Sequence, residues 1–143
     1  MASEILIRTD ADNTIGLGHL VRCYALAQML KNEFDITFII KRMPSKLKDE
    51  LFKGLFKLKK IKTEEEFFLF LNPGQIVILD GYEFATEYQK HVKKKGCKLV
   101  CVDDLHEHEF HADLIINHTP GIKPQDYKAQ PYTMFALGPE YVL

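Results

Sequence analysis

The chain has 143 residues, 46% of them hydrophobic and 27% charged, which is typical of a globular protein large enough to bury a core. Its 19 basic and 20 acidic residues give a net charge of −1, whereas nucleic-acid-binding proteins usually have a clear basic excess. No apolar run approaches the roughly 20 residues of a membrane span, and the first residues do not resemble a signal peptide. The three cysteines lack the spacing of a disulfide framework, so we expect a cytoplasmic protein.

Short apolar runs alternate with helical patterns along the chain. The apolar runs predict strands at residues 4–9, 35–41, 58–61, 75–79, 98–102, 112–116 and 132–136. Helices are predicted at residues 18–31, from Pro44 onward, from a capping Thr63 onward, and at residues 84–95. Continuous apolar strands separated by helices indicate a parallel sheet that is covered on both faces. We therefore expect residues 1–143 to form a single α/β domain with a mostly parallel, Rossmann-like sheet.

The segment that leads from the first strand into the first helix, residues 8–23, is the strongest indication of a site. Gly16 and Gly18 allow backbone N–H groups to approach a ligand closely, and the following helix N-terminus favours negative charge. The segment is not a dinucleotide fingerprint, because Val21 stands where the third glycine is required, and no Walker A lysine follows. No G-x-S-x-G elbow supports a serine hydrolase.

Polar residues follow several of the predicted strands at the point where each strand ends. They include Asp10, Asp80, the pair Asp103 and Asp104, and Asn117. Ligands of open parallel sheets bind beyond the carboxyl ends of the strands, so these side chains are expected at one functional edge.

An ordered set of motifs runs through the whole chain. They are the segment from Asp10 to Cys23, Ile78-Leu79-Asp80-Gly81-Tyr82, Val102-Asp103-Asp104, residues 112–118, Tyr127 and residues 137–143. In these motifs the chain resembles the UDP-2,4-diacetamido-2,4,6-trideoxy-β-L-altropyranose hydrolases of the pseudaminic acid pathway, and also spore-coat polysaccharide biosynthesis proteins. The resemblance implies the N-terminal lobe of a fold like that of GT-B glycosyltransferases. A UDP-binding C-terminal lobe, in the same or a separate chain, would follow Leu143.

The resemblance implies hydrolysis of the anomeric C–O bond of a UDP-sugar with inversion, without a metal or another cofactor. His19 is the expected catalytic base. At the first turn of a helix, the positive end of the helix dipole would disfavour imidazolium and keep a neutral ring ready to accept a proton.

The resemblance also suggests which other residues contact the substrate. Asp10 is expected either to orient His19 or to bind a sugar hydroxyl, and Arg22 either to meet the diphosphate or to pair with Asp10. Gly16 and Gly18 would offer backbone N–H groups. The remaining substrate-binding candidates are Asp80, Gly81, Tyr82, Asp104, Asn117 and Tyr141.

Three other interpretations stay open at this stage. The chain could be the acceptor lobe of a GT-B-like glycosyltransferase, or a non-catalytic sugar-binding module with an apolar face near residues 132–143 that packs on a partner domain. Histidines at positions 106, 108 and 111, beside several carboxylates, could also bind Zn²⁺, although a solvated loop is the favoured interpretation.

Overall fold

A computed structural model of the chain describes residues 3–143. Residues 1 and 2, on which part of the expected absence of a signal peptide depends, lie outside that range. Seven strands form one sheet, and every neighbouring pair is parallel. The strands are β1 (Ser3–Thr9), β2 (Phe34–Ile40), β3 (Lys57–Lys60), β4 (Ile76–Asp80), β5 (Lys98–Val102), β6 (Leu114–Asn117) and β7 (Met134–Leu137). The predicted α/β, Rossmann-like sheet is confirmed.

Helices cover both faces of this sheet. They are α1 (Gly18–Leu30), α2 (Ser45–Leu51), α3 (Glu64–Leu69) and α4 (Thr86–Lys94), with short 3₁₀ turns at Pro124–Asp126 and Pro139–Tyr141. Ile5 and Ile7 of β1 lie in a buried cluster with α1, whereas Leu6 lies in the opposite cluster with Phe67 of α3 and Val92 of α4. Alternate residues of β1 therefore serve opposite layers, as expected for a strand buried on both faces.

Several element boundaries differ from the sequence prediction by one or two residues. The strand predicted at 75–79 ends at Asp80, and the last two strands begin two residues later than expected. The helix predicted from residue 84 begins at Thr86, since the preceding segment forms a turn in which the Phe84 N–H donates to the Gly81 carbonyl. Thr63 caps α3 as predicted, with its hydroxyl accepting from the Glu66 N–H.

The strand order places a crevice between β1 and β4. Along the sheet the order is β3-β2-β1-β4-β5-β6-β7. From β1 to β3 the strands are added towards one edge of the sheet, and from β4 to β7 towards the other edge. Ligands of doubly wound sheets bind at such a switch point, at the carboxyl ends of the strands. Within residues 3–143, no helix has the length and apolar character required to cross a membrane.

Candidate active site at the carboxyl edge of the sheet

The loop after β1 folds back on itself before α1 begins. The Asp12 carboxylate accepts hydrogen bonds from the N–H groups of Thr14 and Ile15. The backbone carbonyl of Asp12 accepts from the Gly16 N–H at 2.8 Å. Gly16 has φ +81°, a left-handed conformation that favours glycine. No side chain caps the helix at Leu17, so the first turn of α1 faces the switch point with no cap of its own.

This first turn places His19 against the end of β4. The His19 Nδ1 lies 2.7 Å from Asp80 Oδ1, and both side chains are buried. Nδ1 also lies 3.3 Å from Arg22 Nη2, an atom that can only donate. The contact with the carboxylate oxygen is much shorter and assigns the proton to Nδ1, so the Arg22 Nη2 contact is not a hydrogen bond. The Nε2 atom of His19 is then the nitrogen with a lone pair available to accept a proton.

The contact with Asp80 reverses one expectation about His19. The helix dipole was expected to disfavour the charged ring, but the hydrogen bond to Asp80 raises the pKa of His19 above its usual 6.5, against the opposing effect of burial. A direct bond to a carboxylate is stronger than the partial charge of a helix terminus.

Arg22, one turn further along α1, joins the same carboxylate. Its Nε and Nη2 atoms donate to the two oxygens of Asp80 at 2.5 and 2.6 Å, which is a bidentate pair. Its Nη1 also lies 3.7 Å from the carboxylate of Asp104. The predicted pairing of Arg22 with Asp10 is therefore wrong. The guanidinium instead links the ends of β4 and β5.

Tyr82 and Asp104 complete what we call the His19 cluster. The Tyr82 ring meets His19 edge to face at 4.8 Å, and its hydroxyl donates to Asp104 Oδ2 at 3.2 Å. The other oxygen, Asp104 Oδ1, is buried and accepts no hydrogen bond from residues 3–143. The His19 cluster comprises His19, Arg22, Asp80, Tyr82 and Asp104.

The cluster opens into a small cleft across the ends of β4 and β5. His108, Leu105 and Phe110 of the loop after β5 line it, together with Gly81. Gly81 is confined by its own turn, since a Cβ atom there would lie 2.8 Å from a ring carbon of Phe84. A larger residue at position 81 would therefore shift the wall of the cleft.

Asp10 lies outside the His19 cluster, which corrects the prediction that it orients His19. Its carboxylate forms a bidentate pair with the fully buried Arg8 and also accepts from the backbone N–H groups of Lys41 and Arg42. Arg8 donates in turn to Glu64, which also accepts from the Tyr88 hydroxyl. We call this second group the Arg8 cluster; its members are Arg8, Asp10, Glu64 and Tyr88.

Two further candidates do not join the His19 cluster. Asn117 is only 1% exposed, with its amide donating to the Tyr127 hydroxyl and accepting from the Thr119 N–H, so an N-acetyl group could not replace these partners without rearrangement. Tyr141 lies in the 3₁₀ turn after β7, where it is exposed. Gly18 forms the first residue of α1, directly beside His19.

The histidine-rich loop does not gather into a metal site. His111 Nε2 lies 3.1 Å from the Glu109 carboxylate, His106 packs its ring edge towards Tyr127, and His108 faces the cleft. Among residues 3–143, no group of three or more histidine, cysteine, aspartate or glutamate side chains could hold a metal ion. His108 was not among the predicted substrate-binding residues, and its position after β5 was the available signal.

Comparison with known proteins identifies one distant relative. The chain is 27% identical over 135 residues to the UDP-2,4-diacetamido-2,4,6-trideoxy-beta-L-altropyranose hydrolase of Campylobacter jejuni subsp. jejuni. The match covers 87% of this chain but 45% of that protein, so the chain spans about half the length of its relative. No protein-family model and no solved structure matches the chain. The chain is thus distantly similar to a UDP-sugar hydrolase.

Proposed function

We propose that the chain forms the sugar-binding and catalytic-base lobe of a UDP-sugar hydrolase that acts in pseudaminic acid or surface-polysaccharide biosynthesis. The observation that carries the proposal is the Asp80–His19 pair at the switch point of the sheet. Asp80 fixes the tautomer of His19 and stabilises the imidazolium formed on proton transfer, which is how a carboxylate assists a histidine base in hydrolases. The relative's activity supplies the substrate class.

In the proposed reaction, His19 Nε2 removes a proton from a water molecule. The water oxygen forms a bond to the anomeric carbon on the face opposite the leaving group, and the anomeric C–O bond breaks. Its electron pair leaves on the β-phosphate oxygen of UDP, and the free sugar carries the inverted configuration. The proton passes from His19 to solvent, so one UDP-sugar and one water give one sugar, UDP and one proton.

The other members of the His19 cluster have supporting roles in this proposal. The buried Asp104 Oδ1 accepts from a hydroxyl or amide N–H of the sugar, because a buried carboxylate oxygen without a partner is costly unless a ligand supplies one. Tyr82 is half exposed and forms the wall of the sugar site. Arg22 binds both oxygens of Asp80 and adds positive charge near the developing diphosphate.

A UDP-binding lobe that packs against the carboxyl-terminal part of the chain is part of the same proposal. The relative is about twice as long as the matched segment. Apolar side chains are exposed at this end of the chain, including Met134 at 70% and Val142 at 63%. Such surfaces are characteristic of contacts with another domain.

The proposal is tested by UDP release from UDP-2,4-diacetamido-2,4,6-trideoxy-β-L-altropyranose. We compare the chain with its His19→Ala variant and with His91→Ala, which removes an exposed histidine on α4. Loss of a general base predicts a rate about 10²–10⁴-fold lower in His19→Ala only. Equal rates in all three proteins would rule out His19 as the base. Sugar transfer to an added acceptor in place of water would favour a glycosyltransferase.

A second measurement addresses the sugar site independently of turnover. Titration with the free 2,4-diacetamido sugar should shift the NMR signals of His19, Tyr82 and Asp104 and leave those of the Arg8 cluster unchanged. A chain that binds the sugar without releasing UDP would be a sugar lobe that needs its UDP-binding partner. A chain that does neither contradicts the proposal.

A further inference from the structure

A buried hydrogen-bonded chain lies behind the His19 cluster, between β5 and β6. Asn117 at the end of β6 donates to the Tyr127 hydroxyl at 2.9 Å, and that hydroxyl donates to Asp103 Oδ2 at 2.7 Å. The backbone strengthens the connection, since the Asp103 N–H donates to the Ile116 carbonyl. Tyr127 therefore reaches the end of β5 from a segment that contributes no residue to the cleft.

Asp103 in turn fixes the start of the loop that lines the cleft. Its carboxylate accepts from the N–H groups of Leu105 at 3.3 Å and His106 at 2.8 Å. His106 has φ +46°, the one positive value that a non-glycine residue adopts between residues 3 and 143. Such a conformation costs energy in a residue with a Cβ atom, so it persists only where surrounding contacts impose it.

This turn determines where the next carboxylate points. With Asp103 directed back towards Tyr127, the side chain of Asp104 is directed to the opposite side, where it meets Tyr82 and Arg22. The other oxygen of this carboxylate, Oδ1, is buried and has no hydrogen-bond partner in the described part of the chain. Two adjacent carboxylates thus serve two purposes: Asp103 holds the loop that lines the cleft, and Asp104 binds Tyr82 and Arg22 of the His19 cluster.

We propose that Tyr127 is a positioning residue of the candidate site, which acts through Asp103 to direct Asp104 towards Arg22 and Tyr82. The inference rests on the proposed function for its catalytic meaning, but the geometry it describes can be tested without substrate. The competing explanation is that Tyr127 only fills the core. Its ring does pack against Phe110 and Phe135, with centroids 5.3 and 5.7 Å away.

The test compares Tyr127→Phe with Tyr24→Phe. The first variant keeps the packed ring and removes the hydroxyl that binds Asp103. The second is a control, because Tyr24 is half-buried among Phe38, Phe52 and Phe56 on the other face of the sheet. Amide exchange at His106 and the NMR titration midpoints of His19 and Tyr82 are measured in both variants. UDP release is assayed in parallel.

We expect changes only in Tyr127→Phe. Amide exchange at His106 should be about tenfold faster, the effect of losing one hydrogen bond that holds the turn. The midpoints of His19 and Tyr82 should both fall, because Asp104 moves away from them. His19 would keep its contacts with Asp80 and Arg22 in this variant. Its titration midpoint should therefore change less in Tyr127→Phe than in Asp80→Asn. Loss of packing alone would not move these midpoints.

Unchanged exchange and midpoints in a folded Tyr127→Phe chain would overturn the proposal. If circular dichroism shows that this variant does not fold, the isosteric Asp103→Asn variant decides by the same measurements, since it has one acceptor oxygen instead of two. Unfolding of both variants would assign Tyr127 to the core alone. UDP release that is absent even from the unmodified chain would count against the proposed function, while the exchange and midpoints still decide the role of Tyr127.

Discussion

The two ionic clusters at the carboxyl edge differ in how completely their polar atoms are bonded. In the Arg8 cluster all three guanidinium nitrogens donate, Asp10 accepts from side chain and backbone, and both oxygens of Glu64 are used. In the His19 cluster, by contrast, both oxygens of Asp80 accept hydrogen bonds, while residues 3–143 offer no hydrogen-bond partner to Asp104 Oδ1 or to His19 Nε2.

We expect this difference to separate a structural cluster from a functional one. The buried charges of the Arg8 cluster connect β1, the end of β2, α3 and α4, so the network stabilises the arrangement of these elements. In the His19 cluster, Asp104 Oδ1 at the end of β5 has no bond from residues 3–143, so a ligand at this edge of the sheet can supply the missing donor. Charge alone would not distinguish the two, because both contain an arginine and two acidic residues.

The largest expected effect follows from changing Asp80 to asparagine. The substitution leaves the partly buried guanidinium of Arg22 without its fully buried carboxylate partner and removes the group that fixes the His19 tautomer. We expect UDP release to fall about 10²–10⁴-fold and the free energy of unfolding to fall by about 3–5 kcal/mol. Urea unfolding and the release assay measure the two effects. Asp35→Asn, in an exposed pair with Lys57, is the control and should change neither.

Replacement of Arg8 by methionine should separate stability from activity. Asp10 and Glu64 would lose their buried partner, so the free energy of unfolding should fall by about 3–5 kcal/mol. UDP release per folded molecule should stay unchanged. Arg42→Met, at a largely exposed position near Asp12, should have little effect on either quantity. If Arg8→Met keeps its free energy of unfolding and releases UDP more slowly, the Arg8 cluster contributes to activity and not to stability. That result would contradict the distinction between the two clusters.

The fold could be predicted from sequence because its signals are local. Apolar runs such as residues 76–79 and the helix beginning at Gly18 depend on nearby residues, and the parallel sheet follows from their alternation. Strand ends were less certain: Asp80 is the last residue of β4 and not the first residue of the loop. That difference matters, since a residue within a strand has its side chain directed to one face.

The composition of the site could be predicted, but its pairing could not. His19, Arg22, Asp80 and Asp104 do come together, as expected for residues at the carboxyl ends of neighbouring strands. Sequence could not show that His19 would bond to Asp80 in place of Asp10, because both carboxylates lie at the carboxyl ends of adjacent strands. The choice depends on which face each side chain takes, and for Asp10 on Arg8, whose other partner lies 56 residues away.

A pair of tyrosine substitutions tests the same distinction with smaller changes. Tyr88→Phe removes a hydrogen bond of 2.7 Å to the ionised Glu64, so the free energy of unfolding should fall by about 1.5–3 kcal/mol. Tyr82→Phe removes a longer bond at a half-exposed side chain and should change stability by less than about 0.5 kcal/mol.

The activity of these two variants should show the opposite pattern. UDP release should fall in Tyr82→Phe, because the Tyr82 hydroxyl holds Asp104 in the His19 cluster, and should be unchanged in Tyr88→Phe. Urea unfolding and UDP release, measured on both proteins, provide the comparison. If Tyr88→Phe loses activity and Tyr82→Phe does not, the Arg8 cluster would contain part of the site.

The smallest expected effects are in the pH dependence, where the clusters should act in opposite directions. The hydrogen bond to Asp80 raises the pKa of His19 above 6.5, so its stabilising contribution is complete below about pH 6.5 and is lost as the pH rises through the raised value. For Glu64, burial tends to raise the pKa, but the hydrogen bonds from Arg8 and Tyr88 outweigh burial and lower the pKa below 4.5. The contribution of Glu64 is therefore complete above about pH 4.5 and is lost as the pH falls through the lowered value.

Urea unfolding measured from pH 3 to pH 9 should resolve these two arms separately. His19→Gln should remove the loss of stability on the alkaline side, and Glu64→Gln the loss on the acidic side, each leaving the other arm in place. UDP release needs neutral His19, so activity should rise with pH through the raised pKa of His19 while the stability from the same group declines. The base is thus most active where its ion pair with Asp80 stabilises the fold least. The loss of UDP release at low pH should persist in Glu64→Gln and should move to lower pH in Asp104→Asn. That result would confirm that the His19 cluster determines the pH dependence of activity.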